Sequence, residues 1–165
     1  MSPMPWFRLV SPRARDTLFD LVVHVLWADG RVTPDELSSA RGAALALELD
    51  TTTFGGLFGR VNRTFESLGL EALGPLERPL AYAAAVWMAF ADRELAVTEN
   101  LLLQRTRRAL DVGEGMGLRI ESLVQAALAT RAPVGTDAPV RAAELGQLLD
   151  QVTALMIDGV SANVA

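Results

Sequence analysis

The sequence predicts an all-α fold, a single compact helical domain of about seven helices in two pseudo-symmetric halves. No stretch combines sustained polar–apolar alternation with β-branched enrichment, so no sheet is predicted. Apolar residues recur at helical spacing between turn signals instead. In addition, the segment 28–36 recurs in weakened form as 91–99, 63 residues later, and each copy follows an apolar-aromatic stretch. The repeat predicts two similar helix–turn–helix units.

Composition narrows the classes of function. The chain has 165 residues, 50% hydrophobic and 21% charged, which predicts one globular domain over residues 1–165. The absence of cysteine excludes disulfides, thiolate metal sites and cysteine nucleophiles. A net charge of −5 argues against nonspecific binding to nucleic acid or anionic lipid. The N-terminus does not resemble a signal peptide, and the longest apolar run, 80–91, is too short to span a bilayer. A cytoplasmic protein without an integral membrane segment is therefore predicted.

The first two predicted helices are joined by a short turn. A helix is predicted from Pro12 to about residue 28, with Ser11 as its N-cap. Gly30 ends the turn, and we expect a positive φ there. Thr33 and Glu36 then form a capping box with Pro34 between them, which starts a second helix to about residue 49. Such a box contributes roughly 1 kcal/mol.

The remaining elements follow from apolar periodicity and from the glycines and prolines between segments. The further helices are predicted at about 51–65, 75–91, 98–110, 115–132 and 139–160, with a loop at 133–137. The glycine-rich stretch 113–117 superficially resembles a nucleotide-binding loop. It follows a helix rather than a strand, so we interpret it as a helix C-cap and connector.

The repeated turns carry the candidate site. Each turn has an Asp at the end of one helix and a Glu in the first turn of the next. If a pseudo-two-fold axis relates the halves, the four carboxylates share one face. Oxygen ligands without His or Cys suit Ca²⁺ or Mg²⁺ better than Zn²⁺. The predicted metal ligands are Asp29, Glu36, Asp92 and Glu99, with Asp35 and Glu94 as additional candidates.

A metal-free alternative stays open. Asp29 can form an Asx turn, and Glu36 can simply complete its capping box. Glu99 near a helix N-terminus is favoured by the helix dipole. Arg31 and Arg93 can neutralise the acids without any cation. In this alternative the repeated acids act only as helix caps of a scaffold or interaction domain.

Several other residues fit structural roles better than functional ones. His24, the single histidine, does not share a helix face with Asp29 and is interpreted as a core or interface residue. No nucleophile or acid–base constellation is found, so no enzyme is predicted. Aromatic residues before each motif are interpreted as core packing beneath the turns. They are Trp27, Trp87 and Phe90. Trp6 and Phe7 are candidates for docking on the body or on another chain. Arg105, Arg107 and Arg108 are interpreted as a solvated face that pairs with acids.

The two motifs resemble the TerB-like family, named for tellurite-resistance proteins. The matching residues are Ala28, Asp29, Gly30, Val32 and Glu36, then Ala91, Asp92, Leu95 and Glu99, with Leu47 and Leu110 downstream. The resemblance covers roughly residues 15 to 130. It implies an all-helical, non-enzymatic domain of bacterial stress response, including tellurite resistance, that binds a divalent metal or a protein partner. Peripheral membrane association and oligomeric state stay open.

The second motif departs from the family pattern. Arg93 replaces the expected glycine, so a left-handed turn there would be strained. Ala96 replaces the capping residue Thr33. We therefore expect the first turn to anchor any site, with the second contributing Asp92 and Glu99.

Overall fold

Seven α-helices and two short 3-10 helices make up the described part of the chain. The computed structural model describes residues 5–28, 30, 32–49, 64–91, 97–130 and 137–164. The helices are α1 (Pro5–Leu9), α2 (Pro12–Leu26), α3 (Pro34–Ala46), α4 (Glu77–Ala89), α5 (Val97–Ala109), α6 (Glu114–Ala129) and α7 (Ala138–Val164). The 3-10 helices are Phe65–Leu68 and Leu70–Ala72. No strand occurs within these ranges, so the all-α prediction is confirmed.

The predicted helix starts agree closely with the structure because the caps fix them. Ser11 Oγ accepts the backbone N–H of Ala14 at 3.1 Å at the start of α2. The predicted helix 51–65 lies outside the described residues except at Phe65, where a 3-10 helix begins. The predicted loop 133–137 likewise lies outside them except at Asp137.

Helix α4 is the centre of the core. Its ten residues from Leu80 to Ala89 are all buried, and α4 contacts α2, α3, α5, α6 and α7. A helix that is apolar on all sides must be surrounded by others. Most of the longest apolar run of the sequence, 80–91, therefore lies in the core.

Helix α3 packs very closely along α7. A Cβ atom on Gly42 would lie 2.5 Å from the Arg141 Cβ and 2.9 Å from the Ala142 backbone nitrogen. Glycine at this position therefore lets the two backbones approach more closely than any other residue would. The C-terminal helix is thereby locked onto the helix that carries the first motif Glu.

The sequence repeat is also a structural repeat. Helices α3 and α5 are 13 residues each, and their first residues, Pro34 and Val97, are 63 positions apart. The ends of α2 and α4 keep the same offset. Their C-cap residues, Trp27 and Phe90, have φ of −95° and −96°. The two helix–turn–helix units therefore match in register, as the repeat predicts.

The second helix of each unit ends in the same motif. Glu48 and Asp111, again 63 positions apart, have φ of 57° and 55°. The N–H of the following residue bonds back into the helix, from Leu49 to Ala44 O at 2.9 Å and from Val112 to Arg107 O at 3.1 Å. These are Schellman ends with an acid where glycine is usual. Both positions carry backbone strain.

The N-terminal helix α1 packs against the C-terminal helix α7. The Trp6 side chain is fully buried, its backbone N–H donates to Asp150 Oδ1 at 3.3 Å, and α1 contacts α7. Of the two placements left open for Trp6, docking on the body is the one that the structure shows. The prediction of a helix C-cap at 113–117 was wrong: Gly113 is the N-cap of α6, and Asp111 already ends α5.

Within the described ranges, no helix has the length and apolar content needed to cross a membrane.

Candidate functional site: the acid-bearing interhelical turns

The first interhelical turn links α2 to α3. After the C-cap at Trp27, the Gly30 N–H donates to the Trp27 carbonyl at 3.1 Å. Gly30 has a φ of 75° and is exposed, so the predicted positive φ is confirmed. A β-carbon would be strained there even though nothing lies within 4 Å of its position. Asp29 and Arg31 lie outside the described residues.

Glu36 performs the capping role that the sequence predicts. Its Oε1 accepts the Thr33 backbone N–H at 3.0 Å, and its own N–H donates to Thr33 Oγ1 at 3.1 Å. The side chain is only 2% exposed. A buried carboxylate needs such donors and the positive end of the helix dipole to remain stable. Glu36 therefore stabilises the first turn by capping the start of α3.

Glu99 occupies the equivalent position in the second unit. It lies in the first turn of α5 and is 3% exposed. The Ala91 N–H donates to the Met88 carbonyl at 3.1 Å, as Ala28 does to Val25 in the first unit. Asp92 and Glu94 lie outside the described residues. The structure thus places both repeated glutamates inward, at matching positions.

Asp35, an additional ligand candidate, lies close to a buried arginine instead. Arg141 of α7 is 2% exposed, and its Nη2 lies 3.9 Å from Asp35 Oδ1. Its Nη1 lies 3.8 Å from Glu144 Oε2, and Glu144 Oε1 accepts the Trp87 Nε1–H at 2.8 Å. This network connects the start of α3 to α7 and to the central helix α4. A buried cation between two acids offsets the carboxylate charge without any metal.

The four predicted ligands can be placed only in part. Glu36 and Glu99 are buried at equivalent positions. Across the ranges that the structure describes, no group of three or more acidic or histidine side chains is close enough to hold a metal ion. Asp29 and Asp92 fall outside those ranges, so a four-carboxylate site stays a prediction.

A second charged cluster surrounds Phe65. The Arg105 guanidinium lies 4.2 Å above the Phe65 ring and forms an ion pair with Glu66. A backbone hydrogen bond and Arg105 hold the pKa of Glu66 below its usual range. The His24 ring lies 5.9 Å from the Phe65 ring. The predicted pairing of Arg105 with an acid is confirmed. The exposure of Arg105 and Glu66 makes this pair a weak source of stability.

Arg107 differs from the solvated face predicted for it. It is half-buried, and its Nη1 donates to the Val112 carbonyl at 3.0 Å. A Cβ on Gly117 would lie 2.8 Å from its Cδ. Arg107 therefore holds the end of α5 against the start of α6, which is a structural role.

The chain's single tyrosine lies at the floor of a groove between α5 and α6. The Tyr82 hydroxyl donates to Glu121 Oε1 at 2.9 Å. Burial raises the pKa of Tyr82, and the neighbouring Glu121 carboxylate raises it further. The groove encloses about 380 Å³. Its wall includes Arg107 and Arg108 together with Glu114 and Glu121, so it offers no single sign of charge.

Sequence reasoning missed Arg141 because the helix that carries it lies outside the TerB-like resemblance. One signal was present: Arg141 and Glu144 are three residues apart on a predicted helix, a spacing at which side chains meet. The pairing with Asp35 could not be read from the sequence, since it depends on how closely α3 approaches α7 at Gly42.

Comparison with known proteins does not identify a family for this chain. No family model matches the chain, and no curated protein or solved structure matches it. The resemblance to the TerB-like family therefore rests on the two motifs and on their matched register.

Proposed function

We propose that this chain is a non-enzymatic, TerB-like helical domain that binds a protein partner through its acid-bearing interhelical turns. The first of these turns is held by a helix cap rather than by metal. The observation that carries this proposal is the complete capping box, in which both Thr33 and Glu36 give and receive a hydrogen bond. The resemblance suggests a setting in bacterial stress response, including tellurite resistance.

Exposed apolar side chains beside the second turn support a protein partner. Val97, the first residue of α5, is 77% exposed, and Leu101 is 60% exposed one helical turn later. Residues four apart share a helix face. Apolar side chains next to an acidic turn suit an amphipathic partner segment with basic residues.

A divalent cation is the second candidate ligand, held by Asp29, Glu36, Asp92 and Glu99. The observation that favours it is the burial of Glu36 and Glu99, at 2% and 3% exposure. Glutamates are rarely this buried, and a surface helix cap does not require burial. Two inward carboxylates from equivalent turns would suit Ca²⁺ or Mg²⁺.

Thermal unfolding with and without Ca²⁺, Mg²⁺ or Mn²⁺ separates the two candidates. We expect no shift with cation in the wild type. Glu36→Gln keeps an acceptor for the Thr33 N–H and should unfold close to the wild type. Glu36→Ala removes the acceptor of the Thr33 N–H, while the backbone N–H of residue 36 can still donate to Thr33 Oγ1. Because it leaves one donor of the box without its acceptor, it should be destabilised by about 1 kcal/mol. The exposed Glu71→Gln serves as the matched control.

Calorimetry measures directly whether the cation site exists. Saturable heat below about 1 mM metal, present in the wild type and lost in Asp29→Asn/Asp92→Asn, would replace the capping proposal with the cation site.

Partner binding is tested with a synthetic basic amphipathic peptide as the probe. The wild type should bind it, and Val97→Ser/Leu101→Ser should not. Leu118→Ser is the control, because Leu118 is 61% exposed on a different helix. Equal binding by both variants and the wild type, or none by the wild type, would contradict the assigned surface.

A further inference from the structure

A groove separates α5 from α6, although a short connector joins the two helices. Both helices pack mainly against α4 rather than against each other. The Tyr82 ring of α4 lies at the floor of the groove and is 1% exposed. The groove encloses about 380 Å³, which is within the range of about 300–1,000 Å³ found for small-molecule sites.

The two walls of the groove carry opposite charges. The α5 wall contributes the guanidinium groups of Arg107 and Arg108, and the α6 wall contributes the carboxylates of Glu114 and Glu121. Within the described part of the chain, no ion pair joins one wall to the other. Opposite charges that face each other across a cleft without closing it leave room for a ligand between them.

One charged group on each wall is held in place by the protein. Arg107 is half-buried, and its Nη1 donates to the Val112 carbonyl at 3.0 Å. Glu121 is half-buried, and its Oε1 accepts the Tyr82 hydroxyl at 2.9 Å. Gly117 leaves space for the arginine, because a Cβ there would lie 2.8 Å from the Arg107 Cδ. Anchored side chains lose less entropy when a ligand binds, so these two groups are preorganised.

The anchored groups keep hydrogen-bonding capacity for a ligand. The bond to the Val112 carbonyl occupies only part of the Arg107 guanidinium. Tyr82 donates to only one of the Glu121 carboxylate oxygens, and its own oxygen can still accept a hydrogen bond. Arg108 and Glu114 are exposed and add one further charge of each sign on the solvent side.

The balance of charge in the groove selects the kind of ligand. The two arginines and two glutamates sum to zero, so a simple anion attracted by the α5 wall is repelled by the α6 wall, and a simple cation meets the reverse. A polyphosphate would bring excess negative charge beside both glutamates. A molecule with a carboxylate at one end and an ammonium group at the other satisfies both walls.

We propose that the groove between α5 and α6 binds a small zwitterion. Its carboxylate contacts the two α5 arginines, and its ammonium group contacts the two α6 glutamates. Helix axes in contact are already about 8–10 Å apart, so a chain with several methylene groups between its charged ends spans the walls better than an α-amino acid. Leu118, which lines the groove and is 61% exposed, can cover those methylene groups. This proposal does not rest on the partner-binding function of the turns.

The exposure of the charges sets the expected strength. Water and salt screen exposed ion pairs, which therefore contribute little each. We expect a Kd of roughly 1 mM for the best-fitting zwitterion, and weaker binding as sodium chloride is added.

Amide NMR spectra recorded during titration test the proposal. The probes are glycine, β-alanine and γ-aminobutyrate, in which the separation of the charged ends increases. The affinity should rise along this series, with saturable shifts at groove residues such as Gln104 and Gly117. Acetate and methylammonium each carry one of the two charges. They are the matched control probes and should give no saturable shift below about 10 mM.

Substitutions test the two walls separately. Arg108→Gln and Glu114→Gln change exposed side chains, so both variants should fold, and each should weaken γ-aminobutyrate binding at least about threefold. The double variant should weaken it about tenfold. Arg119→Gln is the control, because Arg119 is exposed on α6 but does not line the groove; it should bind as the wild type does.

Three results would each overturn the zwitterion site. The first is a wild type that shows no saturable shift with γ-aminobutyrate up to about 20 mM. The second is acetate or methylammonium that binds as tightly as γ-aminobutyrate. The third is an Arg108→Gln/Glu114→Gln variant that binds γ-aminobutyrate as tightly as the wild type.

Discussion

Replacing Gly42 by alanine tests how tightly the C-terminal helix is locked onto α3. The added Cβ would lie 2.5 Å from the Arg141 Cβ, 2.9 Å from the Ala142 nitrogen and 3.0 Å from the Ala138 oxygen. Ordinary carbon contacts are about 3.5–4.0 Å, so α3 and α7 must separate by about 1 Å. Two of the three obstructing atoms belong to the α7 backbone, so no side-chain rotation relieves the contact.

The expected change in the free energy of unfolding is the difference between two opposing contributions. Overpacking of this kind costs about 1–3 kcal/mol, and alanine regains about 1 kcal/mol of helix propensity over glycine. We therefore expect Gly42→Ala to be destabilised by a net amount of about 0–2 kcal/mol. Gly115→Ala is the matched control, because nothing lies within 4 Å of a Cβ there. That change should be neutral or stabilising by up to about 1 kcal/mol.

Urea unfolding followed by circular dichroism measures both variants. The difference between them should be about 2 kcal/mol, which corresponds to roughly 4–8 °C in Tm for a chain of this size. If Gly42→Ala is as stable as Gly115→Ala, the close approach of α3 and α7 is wrong, and so is the placement of Arg141 beside Asp35.

Three further predictions concern strain and ionisation. Glu48→Gly and Asp111→Gly should each raise the free energy of unfolding by about 0.5–1 kcal/mol, because both residues have a positive φ near 55°. Glu48→Gln keeps the strained backbone and is the control; equal stability of Glu48→Gly and Glu48→Gln in urea would contradict the strain. The tyrosinate absorbance of the single tyrosine, Tyr82, should appear well above pH 10 in the folded protein and near pH 10 in urea. Since the folded pKa is raised, Tyr82 contributes stability that is complete below about pH 10 and is lost as the pH rises further. Tyr82→Phe should remove that loss, and a wild type with no decline above pH 10 would rule out the raised pKa.

Local signals in the sequence were sufficient to predict where several of the helices begin and end. The capping box at Thr33 and the N-cap at Ser11 predicted where α3 and α2 begin, because caps act within three residues. The repeat predicted matched units, and the helix ends confirm it. The end of α5 was predicted to within one residue, but its left-handed residue was misassigned, because Asp111 rather than a glycine adopts that conformation. No local rule predicts a strained acid where three glycines follow.

The candidate site was less predictable because it depends on tertiary packing. The sequence identified Glu36 as a cap but could not reveal that Glu36 and Glu99 are buried. It also offered Asp35 as a metal ligand, whereas the approach of α7 at Gly42 brings Arg141 to that carboxylate.

The proposal that helix caps hold the first turn is tested most directly by amide hydrogen exchange at Thr33 and Glu36. Both N–H groups donate within the capping box, so both should be protected in chelator-treated protein and unchanged on addition of Ca²⁺ or Mg²⁺. Protection that appears only with the cation would contradict the account and assign the turn to a metal site.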